Sequence, residues 1–222
     1  MEHPPKPAAG FITHDFPALG LKRTQRHITS FDEHGKSIFL TSDCGEHHHV
    51  MGEGEALASI IYSTRETPLD INEEADITKA GEKEPPIYYP GGTVMRMVDF
   101  GPGLESPMHR AITLDYGVVL GGVFELELDS GERRVTRPED VSVKRAAAHK
   151  WRNITGQGTL PGRMLYVLLD CKDVVVNGSK VEGSNRVRRV VWEDWILTHY
   201  AFYPTPLGIL YKIVLPSWCS VF

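Results

Sequence analysis

The chain has 222 residues, 41% of them apolar and 24% charged, the composition of a globular protein with room for one ordinary domain and its extensions. A formal charge of −5 excludes the clustered excess of Lys and Arg that a nucleic-acid-binding face needs, and the local run of Arg186, Arg188 and Arg189 reads as a solvated edge. Cys44, Cys171 and Cys219 lie far apart with no CxxC pair, so neither a thiolate zinc site nor a disulfide framework is indicated. No apolar signal core opens the chain and no stretch reaches the ~18 apolar residues of a membrane helix, so the expectation is a cytoplasmic protein with no membrane partner.

Residues 1–20 are rich in Pro and Gly and read as extended. Residues 25–31 and 37–41 flank a Gly turn at Gly35 and predict two short strands. Residues 44–60, with His47, His48 and His49 followed by Gly52 and Gly54, read as a loop leading into the apolar segment 56–62. Adjacent residues point in different directions, which argues against the three histidines as one metal site. From 65 to 92 the chain is acidic and broken by Pro68, Pro85, Pro86 and Pro90, and reads as a long surface excursion.

The character changes at Thr93. Residues 93–100 alternate as a strand does, and further strands are predicted at 117–120, 124–128, 140–144 and 164–169, with turns at Gly121-Gly122 and Ser130-Gly131. Strands at intervals of about 8–12 residues with Gly turns between them predict an all-β barrel or sandwich. The expected boundaries are an N-terminal extension over 1–92, a barrel over 93–170 and a C-terminal extension over 171–222. Within that extension, residues 187–222 carry eight aromatics and three prolines. They are expected outside the barrel, either as an apolar flap or as sequence foreign to the fold, such as intron read-through.

Residues 103–122 carry Gly103, His109, Asp115 and Gly122 at spacings that resemble the first cupin motif, G-x5-H-x-H-x3-4-E-x6-G. Asp115 replaces the Glu conservatively, and Ala111 stands where metal-binding members place a second His. His149 and Asn153 resemble the H-x3-N end of the second motif. The segments around SPMHR, LDYGVVLGG, ELELDSGE and AHKWRN resemble single-domain cupins found in bacteria and in fungal secondary-metabolite pathways, over residues 22–170. The resemblance implies a cupin-type double-stranded β-helix, or jelly roll, and a role in secondary metabolism.

Strand geometry gives the site its own logic. Residues two apart share a face, so Asp115 faces with 109, 111 and 113, and His149 faces with Trp151 and Asn153. Two imidazoles and one carboxylate converging inside a small barrel have the donor set of a facial triad for a divalent metal such as Fe, Zn, Mn or Ni. Ala111 weakens that set, and Asp115 reaches less far than Glu, so His109, Asp115 and His149 are equally candidates for direct acid–base work. Tyr116 and Trp151 are expected as an aromatic wall for substrate, or as core, and Arg110, Asn153 and Arg163 as further candidate contacts. The leading expectation is a non-oxidative enzyme (isomerase, dehydratase or decarboxylase, hence isomerase or lyase) acting on a polyketide-like carbonyl substrate. The alternatives are a metal-dependent oxygenase or other oxidoreductase, and a cupin that binds a small molecule without turnover. A homodimer that covers edge strands is the expected assembly.

Overall fold

The computed structural model describes residues 20–52 and 54–183; the expectation for 187–222 lies outside the described residues. The strands run in chain order: β1 Arg26–Phe31, β2 Ser37–Asp43, β3 His47–Met51, β4 Ala56–Thr64, then helix α1 Ala75–Gly81. They continue as β5 Thr93–Phe100, β6 Thr113–Gly121, β7 Phe124–Leu128, β8 Arg133–Thr136, β9 Val141–Arg145, β10 His149–Asn153 and β11 Gly162–Asp170. The small hairpin of β12 Val175–Val176 and β13 Ser179–Lys180 ends the described chain. No helix among the described residues is long and apolar enough to cross a membrane.

Two antiparallel sheets face one another, a six-stranded sheet in the order β3-β4-β5-β11-β6-β9 and a three-stranded sheet in the order β10-β7-β8. The chain passes from one sheet to the other between β6 and β7, β8 and β9, β9 and β10, and β10 and β11, the connectivity of a jelly roll. Ala58, Val98, Phe100, Val119, Met164, Tyr166 and Leu168 of the large sheet meet Phe124 and Trp151 of the small one in the core. The Phe124 ring stands edge-on to Phe100 at 5.1 Å and to Trp151 at 6.3 Å between centroids.

Three upstream expectations change. Residues 47–51 form strand β3 instead of a loop, because β4 offers a free edge and backbone pairing needs no apolar alternation. The large sheet therefore begins at His47, upstream of the expected barrel boundary at 93. The segment 65–92 is not merely a surface excursion: it contains α1, Pro85 is fully buried, and Ile87 and Tyr88 pack against the core. Arg96 of β5, 8% exposed, anchors this segment by donating from Nη2 to the carbonyls of Pro86 and Ile87, both at 2.8 Å. On the outer face, Arg163 of β11 forks onto buried Asp99 at 2.6 and 2.8 Å and donates to the Lys22 carbonyl. Arg163 thus ties the N-terminal segment to the sheet and is not a substrate contact.

The two sheets pack tightly at Gly162, where a Cβ would stand 2.5 Å from Cζ of the fully buried Phe124 and 3.2 Å from Oδ1 of Asn153. A ring packed on two other aromatic rings has nowhere to move. Gly162→Ala is expected to lower stability by about 1–3 kcal/mol as overpacking does. A denaturant melt checks this, and an unchanged midpoint would show that Phe124 can shift.

Candidate functional site

His109 and His149 meet where the loop before β6 crosses the start of β10. Their backbones exchange two hydrogen bonds, each 2.9 Å, as an isolated antiparallel bridge, and their rings lie 4.4 Å apart between centroids. Each Nδ1 lies 2.9 Å from the carbonyl of the residue two before it, Pro107 for His109 and Ala147 for His149. A carbonyl only accepts, so each Nδ1 carries the proton and each Nε2 keeps its lone pair. Burial, then the neighbouring His109 and Lys144, pushes the His149 imidazole down from 6.5 to about 3. Burial also lowers His109, against the pull of the Pro107 carbonyl. The pair is two neutral imidazoles fixed in one tautomer.

Asp115 of β6 is directly opposite Lys144 of β9 in the register, and both side chains face inward. Lys144 Nζ lies 3.0 Å from Asp115 Oδ2, with side chains 5% and 11% exposed. The ammonium rests against two aromatic faces, 5.3 Å from the Trp151 centroid and 4.9 Å from that of Tyr166. Gly117 makes this placement possible, since a Cβ there would stand 3.0 Å from Nζ and 2.7 Å from Ser142 Oγ. Burial raises Asp115, opposed by Lys144, His109 and Arg96, and burial lowers Lys144, opposed by Asp115. Burial thus disfavours the charged form of each group, and each is held charged by the other.

Asp115 and His149 are buried, and His109 is half-buried against the His149 ring. Sequence reasoning missed Lys144. The strand VSVKR alternates, and the apolar rule turns Val141 and Val143 inward, whereas both are more than half exposed and Lys144 is 4% exposed. Trp151, 2% exposed, belongs to the hydrophobic core, one of the two readings the sequence left open. Tyr116 is not: it follows the inward Asp115, so it points to the outer face and is 37% exposed. Asn153 does not reach the interior space either, because its amide nitrogen serves the carbonyls of Phe100, Gly101 and Leu160 and its oxygen accepts from the Thr155 N–H. Arg110 sits at the rim, paired with Asp129 at 2.9 Å. Of the histidine run, His47 and His49 face one way along β3 and His48 the other, and His49 Nδ1 lies 3.4 Å from Glu84 Oε1.

A divalent metal finds two Nε2 donors here and no third. The carboxylate that would complete a facial triad is held by an ammonium, whose charge opposes a dication. Among the described residues no group of three His, Cys, Asp or Glu side chains is arranged to hold a metal ion. The residues present do not fit the expected metal at His109, Asp115 and His149. Dialysis against a chelator is expected to leave the melting temperature and any turnover unchanged; loss of either on chelation, with recovery on metal addition, would overturn this.

Neutral buried imidazoles make stability depend on pH. The unfolded chain protonates His149 near 6.5 while the folded chain resists to about 3, so its contribution is full above about pH 6.5 and is lost as pH falls between these values. The wild type is expected to lose melting temperature on acidification more steeply than His149→Gln. Parallel pH profiles of the two proteins would refute the assignment.

No family model matches the chain. It is 56% identical over 184 residues to the cupin-domain-containing oxidoreductase srdD of Neurospora crassa, which spans 82% of this chain and 94% of that protein. It is 57% identical over 171 residues to the cupin-domain-containing oxidoreductase fogC of Aspergillus ruber, covering 77% of this chain and 84% of the relative. Phomopsin biosynthesis cluster protein D of Diaporthe leptostromiformis is 39% identical over 166 residues, 73% of this chain and 87% of that protein. Among solved structures, an RmlC-like cupin of Shewanella frigidimarina covers 57% of this chain and 85% of its own at 13% identity, with a TM-score of 0.37. The jelly roll, the cupin motif residues and this identity over nearly the full length of fungal cupin-domain proteins agree: the chain belongs to the cupin family, in the branch those fungal proteins form.

Proposed function

We propose that the protein is a small-molecule enzyme of fungal secondary metabolism that moves a proton on a carbonyl-bearing, polyketide-like substrate without net oxidation, as an isomerase, dehydratase or decarboxylase. One observation carries this reading: the buried Asp115–Lys144 pair at 3.0 Å beside two imidazoles that keep their Nε2 lone pairs. Lys144 donates a proton or hydrogen bond to the carbonyl oxygen, Asp115 relays that proton, and a histidine Nε2 takes one from the adjacent carbon. In the dry interior the hydrogen bonds to a developing enolate are stronger than in water. The Trp151 and Tyr166 rings, both buried, lie against the Lys144 ammonium and keep water from it. Membership in the family, whose relatives include proteins named for biosynthesis clusters, supports the metabolic setting.

A second reading, an oxidoreductase, is favoured by the names of the relatives, several of which are called cupin-domain-containing oxidoreductases. Deleting the gene and identifying the metabolite that accumulates separates the two. A precursor isomeric with the product, or differing from it by water or carbon dioxide, is expected. One differing by hydrogen equivalents or by an oxygen atom would establish the second reading. Asp115→Asn keeps the shape and removes the relay, so it is expected to lower conversion of that precursor by about 10²-fold or more. Unchanged turnover would reduce Asp115 to a structural partner of Lys144.

A further inference from the structure

The outer face of the large sheet is apolar over the half that nothing in the described chain covers. Asp115 and Lys144 turn inward, so their neighbours along β6 and β9 turn outward. The registers line these up across β11, β6 and β9 in two rows, Leu165–Val118–Val141 and Val167–Tyr116–Val143. Leu114 and Leu120 continue the β6 column at either end. Exposure is high on β6 and β9: Tyr116 is 37% exposed, Val143 55% and Val141 58%. The next position in the first row, Met97 of β5, is 8% exposed. On that half the N-terminal segment is tied down, with Arg163 donating to the Lys22 carbonyl and Arg26 to the Ile61 carbonyl of β4. An antiparallel sheet with one face in water shows polar side chains there. Half of this one shows valine, leucine and tyrosine instead.

The two ends of the face carry opposite charge. At one end Arg145 stands opposite Leu114 in the register, and it lines a groove with Lys172, Val175 and Val176. Asp170 and Asp173 near that end are occupied by the Gly91 N–H and by Lys180, so Arg145 and Lys172 are unanswered among the described residues. At the other end exposed Glu139 and Asp140 lead into Val141. We propose that this face is the interface of a two-fold homodimer, with β9 of one copy lying antiparallel across β9 of its partner. A two-fold axis running across the strands sets the apolar rows of the two copies against each other. It also sets each basic end over the partner's acidic end, so the pairing of Arg145 with the Glu139–Asp140 end occurs twice. A second copy therefore supplies both the apolar centre and the complementary ends. Two nine-residue strands and β9 span about 14 by 30 Å, or about 400 Å2 in projection, the size of a patch that marks an interaction site. The charged ends, with Val175 and Val176, both more than half exposed, extend it towards the ~800 Å2 per partner of a standard interface. The contact covers a sheet face, whereas the assembly expected from the sequence covers edge strands. It is independent of the chemistry proposed above.

Sedimentation velocity and light scattering on the full chain at neutral pH are expected to give twice the mass of one chain. Val143→Asp puts a carboxylate into the apolar rows at a position that is 55% exposed in the single chain, so the fold does not depend on it. That variant is expected to be monomeric at concentrations where the wild type is dimeric, with its circular dichroism unchanged. Val135→Asp, at an exposed position on β8 of the other sheet, is expected to remain dimeric. Arg145→Glu is expected to weaken dimerisation by about tenfold or more at low salt, and adding Glu139→Lys to the same chain is expected to restore it. A monomeric wild type, a dimer indifferent to Val143→Asp, or a double variant no tighter than Arg145→Glu alone overturns the inference. Should Val143→Asp misfold, the charge swap carries the test, since Arg145 and Glu139 are both exposed.

Discussion

A carboxylate and an ammonium taken out of water between two β-sheets must answer each other, and much of this interior is arranged around that requirement. Either ion alone would carry a desolvation penalty of several kcal/mol, so removing one partner strands the other. The 3.0 Å approach of Lys144 and Asp115 meets the penalty in part. The ring faces of Trp151 and Tyr166 supply further cation-stabilising surface. The bare Cα of Gly117 supplies the room. Burial keeps the histidines neutral, and the Lys144 charge adds to it by lowering the affinity of both rings for a proton. An interior holding one ion pair and two neutral bases can supply a proton at one point and remove it at another.

The scaffold holds these groups by backbone geometry. The two histidines are fixed by mutual main-chain hydrogen bonds, and their rings by carbonyls two residues back, so neither depends on a flexible side-chain partner. Asn153 performs a similar service at the other end of β10, tying the strand to the turn after β5 and to the start of β11 with one amide. Arg96 draws the segment carrying Pro86 and Ile87 across the large sheet, and its own charge reaches Asp115. Residues that look like ligand contacts in the sequence are therefore often the fasteners that let the true site stay rigid.

Where side chains alternate between an apolar core and water, the sequence announces its strands. β5, β7 and β11 are legible in this way, as is the antiparallel class of the fold, because TVMRMVDF and MLYVLL leave little alternative. β3 was illegible because three consecutive histidines carry no period, and α1 because seven residues are too few for a helical stripe. Tyr116 and Asn153 sat next to or in register with site residues, but adjacency along a strand sends side chains to opposite faces, and a buried amide prefers unpaired carbonyls to a cavity.

The sequence by itself determined the family and the strands that alternate, because motif spacing and a two-residue period are local properties of the chain. Only the tertiary structure decided what His109, Asp115 and His149 face. Lys144 lies 29 residues from Asp115 by number, and nothing local says that β9 presents Ser142 and Lys144 inward and its valines outward. That choice comes from the register of β9 on β6 and from the aromatic faces that β10 and β11 bring over the ammonium. A charge's surroundings in a sandwich are set by strands distant in sequence, and those surroundings make the expected metal donor Asp115 half of a buried ion pair.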